Sequence, residues 1–288
     1  LTASIEPLGT EHPALSRRRE LGATSARSLL LTVLGEFVLP RPEPVWTQTL
    51  IDVLSELGVE QKSARQALAR TAAEGLLGSD RSGRRVRWSL SASGRQLLTE
   101  GASRIYAFGT RSVAWDGRWL VLLVSVPESR RQLRHRLRTR LAWAGLGSPT
   151  PGVWVTPHPE KQDEVARVIA DLELTEVTSS FVGPFGAIGA ERDVVAQAWD
   201  LVGIEAAYAD FLDAFGSATP SSPAEVMKSQ IHLVHAWRRF PFLDPALPGE
   251  LLPAEWAGAR AAALFGELHR RWDGPASRHW RALVGSAG

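Results

Sequence analysis

The chain contains no cysteine among its 288 residues, which removes disulfide scaffolds, thiolate zinc sites and thiol nucleophiles together. Lysine and tyrosine are nearly as scarce: lysine occurs only as Lys62, Lys161 and Lys228, and tyrosine only as Tyr106 and Tyr208. Little therefore titrates between neutrality and pH 10, so a formal charge of only +2 persists far up the scale and gives a pI near 9.4. The pI thus reports mainly what is missing, and the positions of the arginines carry more information. Long hydrophobic runs are also absent. The longest, Trp119 to Val126, falls far short of the ~20 residues of a membrane helix, and the N-terminus lacks a basic-then-apolar signal pattern. The chain reads as cytoplasmic, with no membrane partner. No Gly-rich phosphate loop, Ser-His-Asp order or paired carboxylate motif stands out, so no catalysis, metal or cofactor is expected.

What is present is ordinary globular composition, 44% hydrophobic and 22% charged, over a length that suits two or three domains. Residues 1–24 combine prolines, polar residues and three consecutive arginines without apolar periodicity, and read as a flexible tail. Ala26, Leu29, Leu30, Val33, Leu34 and Phe37 then recur at helical spacing behind Thr24 or Ser25 as cap, until Pro40, Pro42 and Pro44 stop the helix. Thr47 is expected to cap a second helix with Leu50, Ile51, Leu54 and Leu57 on one face, ended by Gly58.

A third helix, about Gln61 to Glu74, turns Ala64, Ala67, Leu68 and Ala72 inward and Lys62, Ser63, Arg65, Gln66 and Arg70 outward. Behind it, Leu76-Leu77, a polar tip and Arg85 to Leu90 alternate as a β-hairpin that carries Arg81, Arg84, Arg85 and Arg87, and a helix restarts at Ser91. Three helices, a basic hairpin and a trailing helix in this order predict a winged helix-turn-helix over residues 25–102. In that fold the third helix enters the major groove and the hairpin reaches phosphates or the minor groove, so these nine polar residues are the candidate contacts to a double-stranded DNA operator.

Residues 101–116 read as a connection. Beyond them Trp119–Val126, expected to be buried on both faces, a helix with Leu133, Leu137 and Leu141, Val153–Val155, a helix with Val165, Val168, Ile169 and Leu172, and Val177–Val182 predict a βαβαβ, ferredoxin-like domain over residues 114–187. From Ala190 strands vanish, and residues 190–288 read as a helical domain whose first helix is interrupted near Gly203. The fold class is thus α+β, multidomain. His232 and His235 share a helix but lack a third zinc ligand nearby, and Trp199 and Trp272 fall on core-facing stripes.

The segments Ala26-Arg27-Ser28-Leu29-Leu30-Leu31-Thr32-Val33-Leu34-Gly35-Glu36, Pro44-Val45-Trp46-Thr47, Ala64 to Arg70, Trp115-Asp116-Gly117-Arg118-Trp119 and the late block Trp237 to Pro245 with Leu247-Pro248, Leu251-Leu252-Pro253 and Trp256 resemble the PaaX family of phenylacetic-acid-degradation repressors. The resemblance implies a central Cas2-like domain, a homodimer suited to pseudo-palindromic half-sites about 34 Å apart, and repression of an aromatic-acid catabolic operon relieved by an acyl-coenzyme A effector such as phenylacetyl-coenzyme A. The central domain is then the expected site of dimerisation or effector binding.

The densest positive charge lies between Glu128 and Ala142, with Arg130, Arg131, Arg134, Arg136, Arg138, Arg140 and His135. It reads first as a solvated helix face, and otherwise as a phosphate-binding surface or a contact on DNA or a partner subunit. As an effector site, Arg130, Arg131, Arg134 and Arg138 would hold phosphates while Trp154 walls the acyl group. A Cas2-like domain also raises the alternative of a metal-dependent nuclease, with Asp116 as its carboxylate.

Overall fold

The computed structural model describes residues 25–109 and 114–286, and the tail expected over residues 1–24 lies outside them. The molecule is mixed α+β, with two antiparallel sheets and a helical C-terminal region. Its described residues fall into two compact units, one from residues 25–109, 202–241 and 253–286, the other from residues 114–201 and 242–252.

In the first unit, α1 (Ala26–Val33) begins with a reciprocal cap: Ser28 N donates to Ser25 Oγ and Ser25 N to Ser28 Oγ, both at 3.1 Å. It widens into a π-helical turn over Leu34–Val38 before the prolines end it. Strand β1 (Val45–Trp46), α2 (Thr47–Glu56) and α3 (Gln61–Ala73) follow. Thr47 does not cap α2. Its hydroxyl donates to Val86 O at 2.9 Å and accepts from Trp88 Nε1 at 2.8 Å, so it fastens the helix start to the hairpin. That hairpin pairs β2 (Leu77–Ser82) with β3 (Arg85–Leu90), and β1 adds on the far side of β3. Two residues directly behind a run of prolines show no alternation, which hid β1 from the sequence.

Helix α4 (Ala92–Ala107) runs deep into the stretch expected as a connection. The unit closes with α8 (Leu201–Phe215), α9 (Pro223–Trp237) and α11 (Gly258–Ser286), all from the C-terminal third. Their contribution is central. The apolar core of Leu29, Leu30, Leu34, Leu50, Ile51, Leu54 and Leu68 continues without a gap into Met227 and Ile231 of α9 and Ala276 and Trp280 of α11. Trp280 is fully buried and stacks on Phe37 at 5.2 Å. The N-terminal helices therefore close their core with residues from the other end of the chain.

Polar side chains reinforce the same joint. Glu36 lies buried in the π-turn and accepts from Tyr106 of α4, from Gln230 of α9 at 2.9 Å and from His269 of α11 at 3.0 Å. Burial alone would raise its pKa, but the His269 hydrogen bond and charge, with those from Tyr106 and Gln230, outweigh it and hold the carboxyl below the usual range. Arg238 donates to Ser28 O at 3.0 Å, and His235 Nδ1 lies 3.1 Å from Thr32 Oγ1. The histidine that raised the zinc question thus packs against α1. The late proline-aromatic block enters here too: Trp237 and Phe240 are fully buried against Tyr208, Phe211 and Phe265.

The second unit holds β4 (Arg118–Val124), α5 (Arg131–Trp143), β5 (Gly147–Thr150), β6 (Val153–Thr156), α6 (Gln162–Asp171), β7 (Thr178–Pro184) and α7 (Glu191–Ala198). Its sheet runs β5-β6-β4-β7 with every neighbour antiparallel. The βαβαβ expectation was one strand short. Gly147-Ser148-Pro149-Thr150 offers no apolar alternation, and proline is disfavoured inside a sheet, so β5 was silent in the sequence. Helices α5 and α6 cover the face of Leu120, Leu122 and Trp154. Trp119 and Val155, on the other face, meet Val195, Ala198, Trp199 and Leu247. Strand β4 is not buried on both faces throughout, since Leu123 is 43% exposed. The helical break falls at Trp199-Asp200 rather than near Gly203, and Val202 just beyond it is 83% exposed. Among the described residues no helix is long and apolar enough to cross a membrane.

Burial, then the nearby Arg238 and His232 charges, push the His235 pKa down to about 4. The unfolded chain binds this proton near pH 6.5 and the folded chain does not. Stability is therefore expected to fall as pH drops from about 6.5 to 4, and His235→Gln to flatten that window in urea melts; an unchanged slope would contradict the buried neutral imidazole.

Candidate nucleic-acid interface

Helix α3 has no aspartate or glutamate along its length. Ala64, Ala67, Leu68 and Thr71 are buried, so Thr71 takes the inward place expected of Ala72, which is half-buried. Thr71 satisfies its hydroxyl by donating to Ala67 O at 2.8 Å. On the opposite side Lys62, Gln66 and Arg70 follow one another at helical i, i+4 spacing with Arg65 beside them, and all four are exposed. None of the four side chains has a hydrogen bond or ion pair to another described residue. Ser63 is half-buried at the stripe's edge. The helix is anchored at its C-terminal end, where Arg27 of α1 pairs with Glu74.

The hairpin divides its four arginines into two pairs. Arg81 and Arg84 are exposed at the tip, and their side chains have no partner among the described residues. The turn between β2 and β3 is Gly83-Arg84, with φ of +61° at Gly83 and no positive φ at Arg84, as a type II′ turn demands. Arg87, by contrast, donates from Nε and Nη2 to Asp80 Oδ2 at 2.8 and 2.6 Å, directly across the ladder. Arg85 lies over the Trp46 ring, 4.1 Å from its centroid. The sequence placed all four together. It could not show that Asp80 falls opposite Arg87, because that follows from the register of the turn.

The hairpin is held to α4 from below. Ser91 caps α4 by accepting from Gly94 N at 3.0 Å, and Ser91 and Ser93 both donate to Gly75 O, at 2.6 and 2.9 Å. Gly94 packs so closely on Leu76 that a Cβ would collide with the Leu76 carbonyl.

In the other unit, Arg131, Arg134, His135 and Arg138 line a cavity of about 270 Å³. An adjoining cleft of about 280 Å³ shares Arg134 and Arg138 and continues over Leu137, Val126, Pro151 and Trp154. The structure thus brings three of the five candidate effector residues, Arg134, Arg138 and Trp154, onto one cleft, with Arg131 in the neighbouring cavity. Arg130 is exposed just before α5 and lines neither. Arg134 pairs with Glu128 at 3.7 Å and Arg140 with Asp171 at 2.6 Å, whereas Arg131, Arg136 and Arg138 have no carboxylate partner among the described residues. Pro151, which completes the apolar half beside Val126, was not legible because it sits in the turn of the unforeseen β5–β6 hairpin.

Three family models match consecutive stretches of the chain. One described as PaaX-like protein covers residues 25–94, one described as the PaaX protein central Cas2-like domain covers residues 112–195, and one described as the PaaX-like protein C-terminal domain covers residues 199–282. The chain belongs to the PaaX family. A curated relative, "Transcriptional repressor PaaX" of Escherichia coli (strain K12), is 30% identical over 258 residues, which is 86% of this chain and 80% of the relative. A solved structure of an uncharacterized Mycobacterium tuberculosis protein shares the fold with a TM-score of 0.63 at 24% identity, over 89% of this chain and 99% of the other. In this PaaX family member Asp116 spends its carboxylate on its own turn, accepting from Arg118 Nε at 2.6 Å and Arg118 N at 3.0 Å. These bonds hold it below the ordinary aspartate range. No group of three or more His, Asp or Glu residues suited to a metal ion occurs among the described residues. The nuclease alternative is not favoured.

Gly94→Ala is expected to lower stability by about 1–3 kcal/mol through overpacking against Leu76, read as the urea midpoint. An unshifted midpoint would show that α4 is not pinned beneath the hairpin as described.

Proposed function

We propose that the chain is a transcriptional repressor whose residues 25–102 form a winged helix-turn-helix, with α3 as the recognition helix and the β2–β3 hairpin as the wing. The observation that carries this reading is the exposed, acid-free and unpartnered stripe of Lys62, Arg65, Gln66 and Arg70. Arginine can pair with guanine O6 and N7, and glutamine with adenine N6 and N7. A face with no carboxylate and no internal partner keeps these donors available for base edges and phosphates. Ser63 sits beside the stripe as a further hydroxyl contact. Arg81 and Arg84 at the tip supply the wing's phosphate contacts, while Arg85 and Arg87, engaged on Trp46 and Asp80, shape the wing and add positive potential. The family membership and the repressor relative support the same assignment.

The repressor acts as a homodimer on a pseudo-palindromic operator in the cytoplasm, and an acyl-coenzyme A-type effector such as phenylacetyl-coenzyme A releases it. For that ligand the central unit, residues 114–187, offers arginines for phosphates in the cavity of Arg131, Arg134 and Arg138, with Arg130 at its approach. The adjoining apolar cleft against Trp154 suits an aromatic acyl group. Of the remaining helices, α8, α9 and α11 support the DNA-reading unit, while α7 packs on the central sheet.

Fluorescence anisotropy with a duplex from the promoter region, in the presence of a chelator, tests the core of this reading. The double variant Arg65→Ala and Arg70→Ala is expected to lose at least tenfold in operator affinity, since each bidentate pair is worth about 1–3 kcal/mol. Arg84→Ala should instead weaken all duplexes alike and lower the salt slope by about one. Arg134→Glu with Arg138→Glu should keep operator binding and lose release by phenylacetyl-coenzyme A. Full affinity in the α3 double variant would refute the placement of the duplex.

A further inference from the structure

Strand β7 ends the four-stranded sheet on the side opposite β5, and the two edges are built differently. The β5 edge is protected in the ways sheet proteins usually adopt. It is four residues long, contains Pro149, pairs with β6 through an irregular register, and Gly147 is pressed against Ala198 and Trp199. The β7 edge lacks these devices from Thr178 to Gly183, and its one proline, Pro184, stands only at its last position. Its seven residues pair with β4 in unbroken register from Arg118↔Pro184 to Val124↔Thr178, which leaves its outward backbone groups without a neighbouring strand among the described residues.

Composition sharpens the contrast. From Thr178 through Ala190 the chain reads Thr-Ser-Ser-Phe-Val-Gly-Pro-Phe-Gly-Ala-Ile-Gly-Ala, with no charged residue, in a protein that is 22% charged overall. Exposed apolar side chains gather on the same edge. Phe181 is 60% and Val182 41% exposed, one on each face of the strand, Leu123 projects beside Phe181 on β4, and Ile188 just beyond the strand is 93% exposed. A monomer gains nothing from an open, neutral, apolar edge and risks unspecific pairing.

We infer that β7 is the seam between two copies of this chain, pairing antiparallel with its own counterpart about a two-fold axis so that two four-stranded sheets become one of eight strands. This rests on the homodimer reading above and names its interface. About a two-fold axis residue i faces residue j and j faces i, so only the residue at the axis meets itself, and a charge near the axis would sit close to its like. The absence of charge across the whole segment is the complementarity that a self-pairing edge requires, and a differently charged partner would gain no ion pair from it. Backbone hydrogen bonds give the pairing its direction, and burial of Phe181 against Leu123 and Phe181 of the partner gives it apolar area.

The absence of cysteine makes the test direct. Full-length Ser179→Cys and Ser180→Cys proteins, each with a single thiol, should be oxidised to covalent dimers under non-reducing conditions, while Ser148→Cys on β5 should stay monomeric on the gel. By light scattering the unmodified chain should have the mass of two chains and Phe181→Lys that of one, with the thermal midpoint of Phe181→Lys retained when measured at a concentration where the unmodified chain is also dissociated. A monomeric unmodified chain would overturn the homodimer reading and the seam together. A dimer that survives Phe181→Lys, or that crosslinks at Ser148→Cys and not on β7, would overturn the seam alone. Should Phe181→Lys fail to fold, the crosslinks decide by themselves.

Discussion

The apolar contact between the N-terminal helices and the C-terminal pair α9 and α11 is the constraint on which the rest of the first unit depends. Phe37 on Trp280, with Met227 and Ile231 against the leucines of α1 and α2, closes a core that the first eighty or so described residues do not close alone. A short three-helix segment buries too small a fraction of its surface to be secure by itself. Here the missing apolar area is supplied from the far end of the chain, so α3 can give a whole face to donors. The buried Glu36, with donors from α4, α9 and α11, then fixes the arrangement of those helices, because leaving a buried carboxylate unpartnered is costly.

The same logic explains how charge is distributed. Arginines that meet a carboxylate, Arg27 with Glu74, Arg87 with Asp80 and Arg140 with Asp171, stiffen the scaffold, though exposed pairs of this kind contribute little to stability. Arginines without one, on α3, at the hairpin tip and on α5, are the ones that a polyanion can recruit. Net charge barely registers this, since acids and bases nearly balance over the chain. The functional signal lies in which cations the fold leaves unpaired.

Much of this was legible before any coordinates. Helical spacing located α1, α2 and α3, and the run of arginines around Gly83 announced the hairpin, because each signal is local. What failed was non-local. Strand β5 has proline in place of alternating apolar residues and exists only because β6 offers it a partner. Thr47 looked like a cap from its position, yet Trp88 and Val86 claim its hydroxyl across the sheet. The pairing of Asp80 with Arg87 depends on a two-residue turn, and a turn one residue longer would have broken it. The candidate effector cleft shows both sides: its arginines were evident from sequence, whereas its apolar wall awaited the β5–β6 hairpin.

Amide hydrogen exchange on the full chain, with and without a promoter duplex, addresses the central claim most directly. The account requires protection concentrated in residues 61–73 and at the hairpin tip around Gly83. Protection confined to α5, or found elsewhere with α3 unchanged, would contradict it.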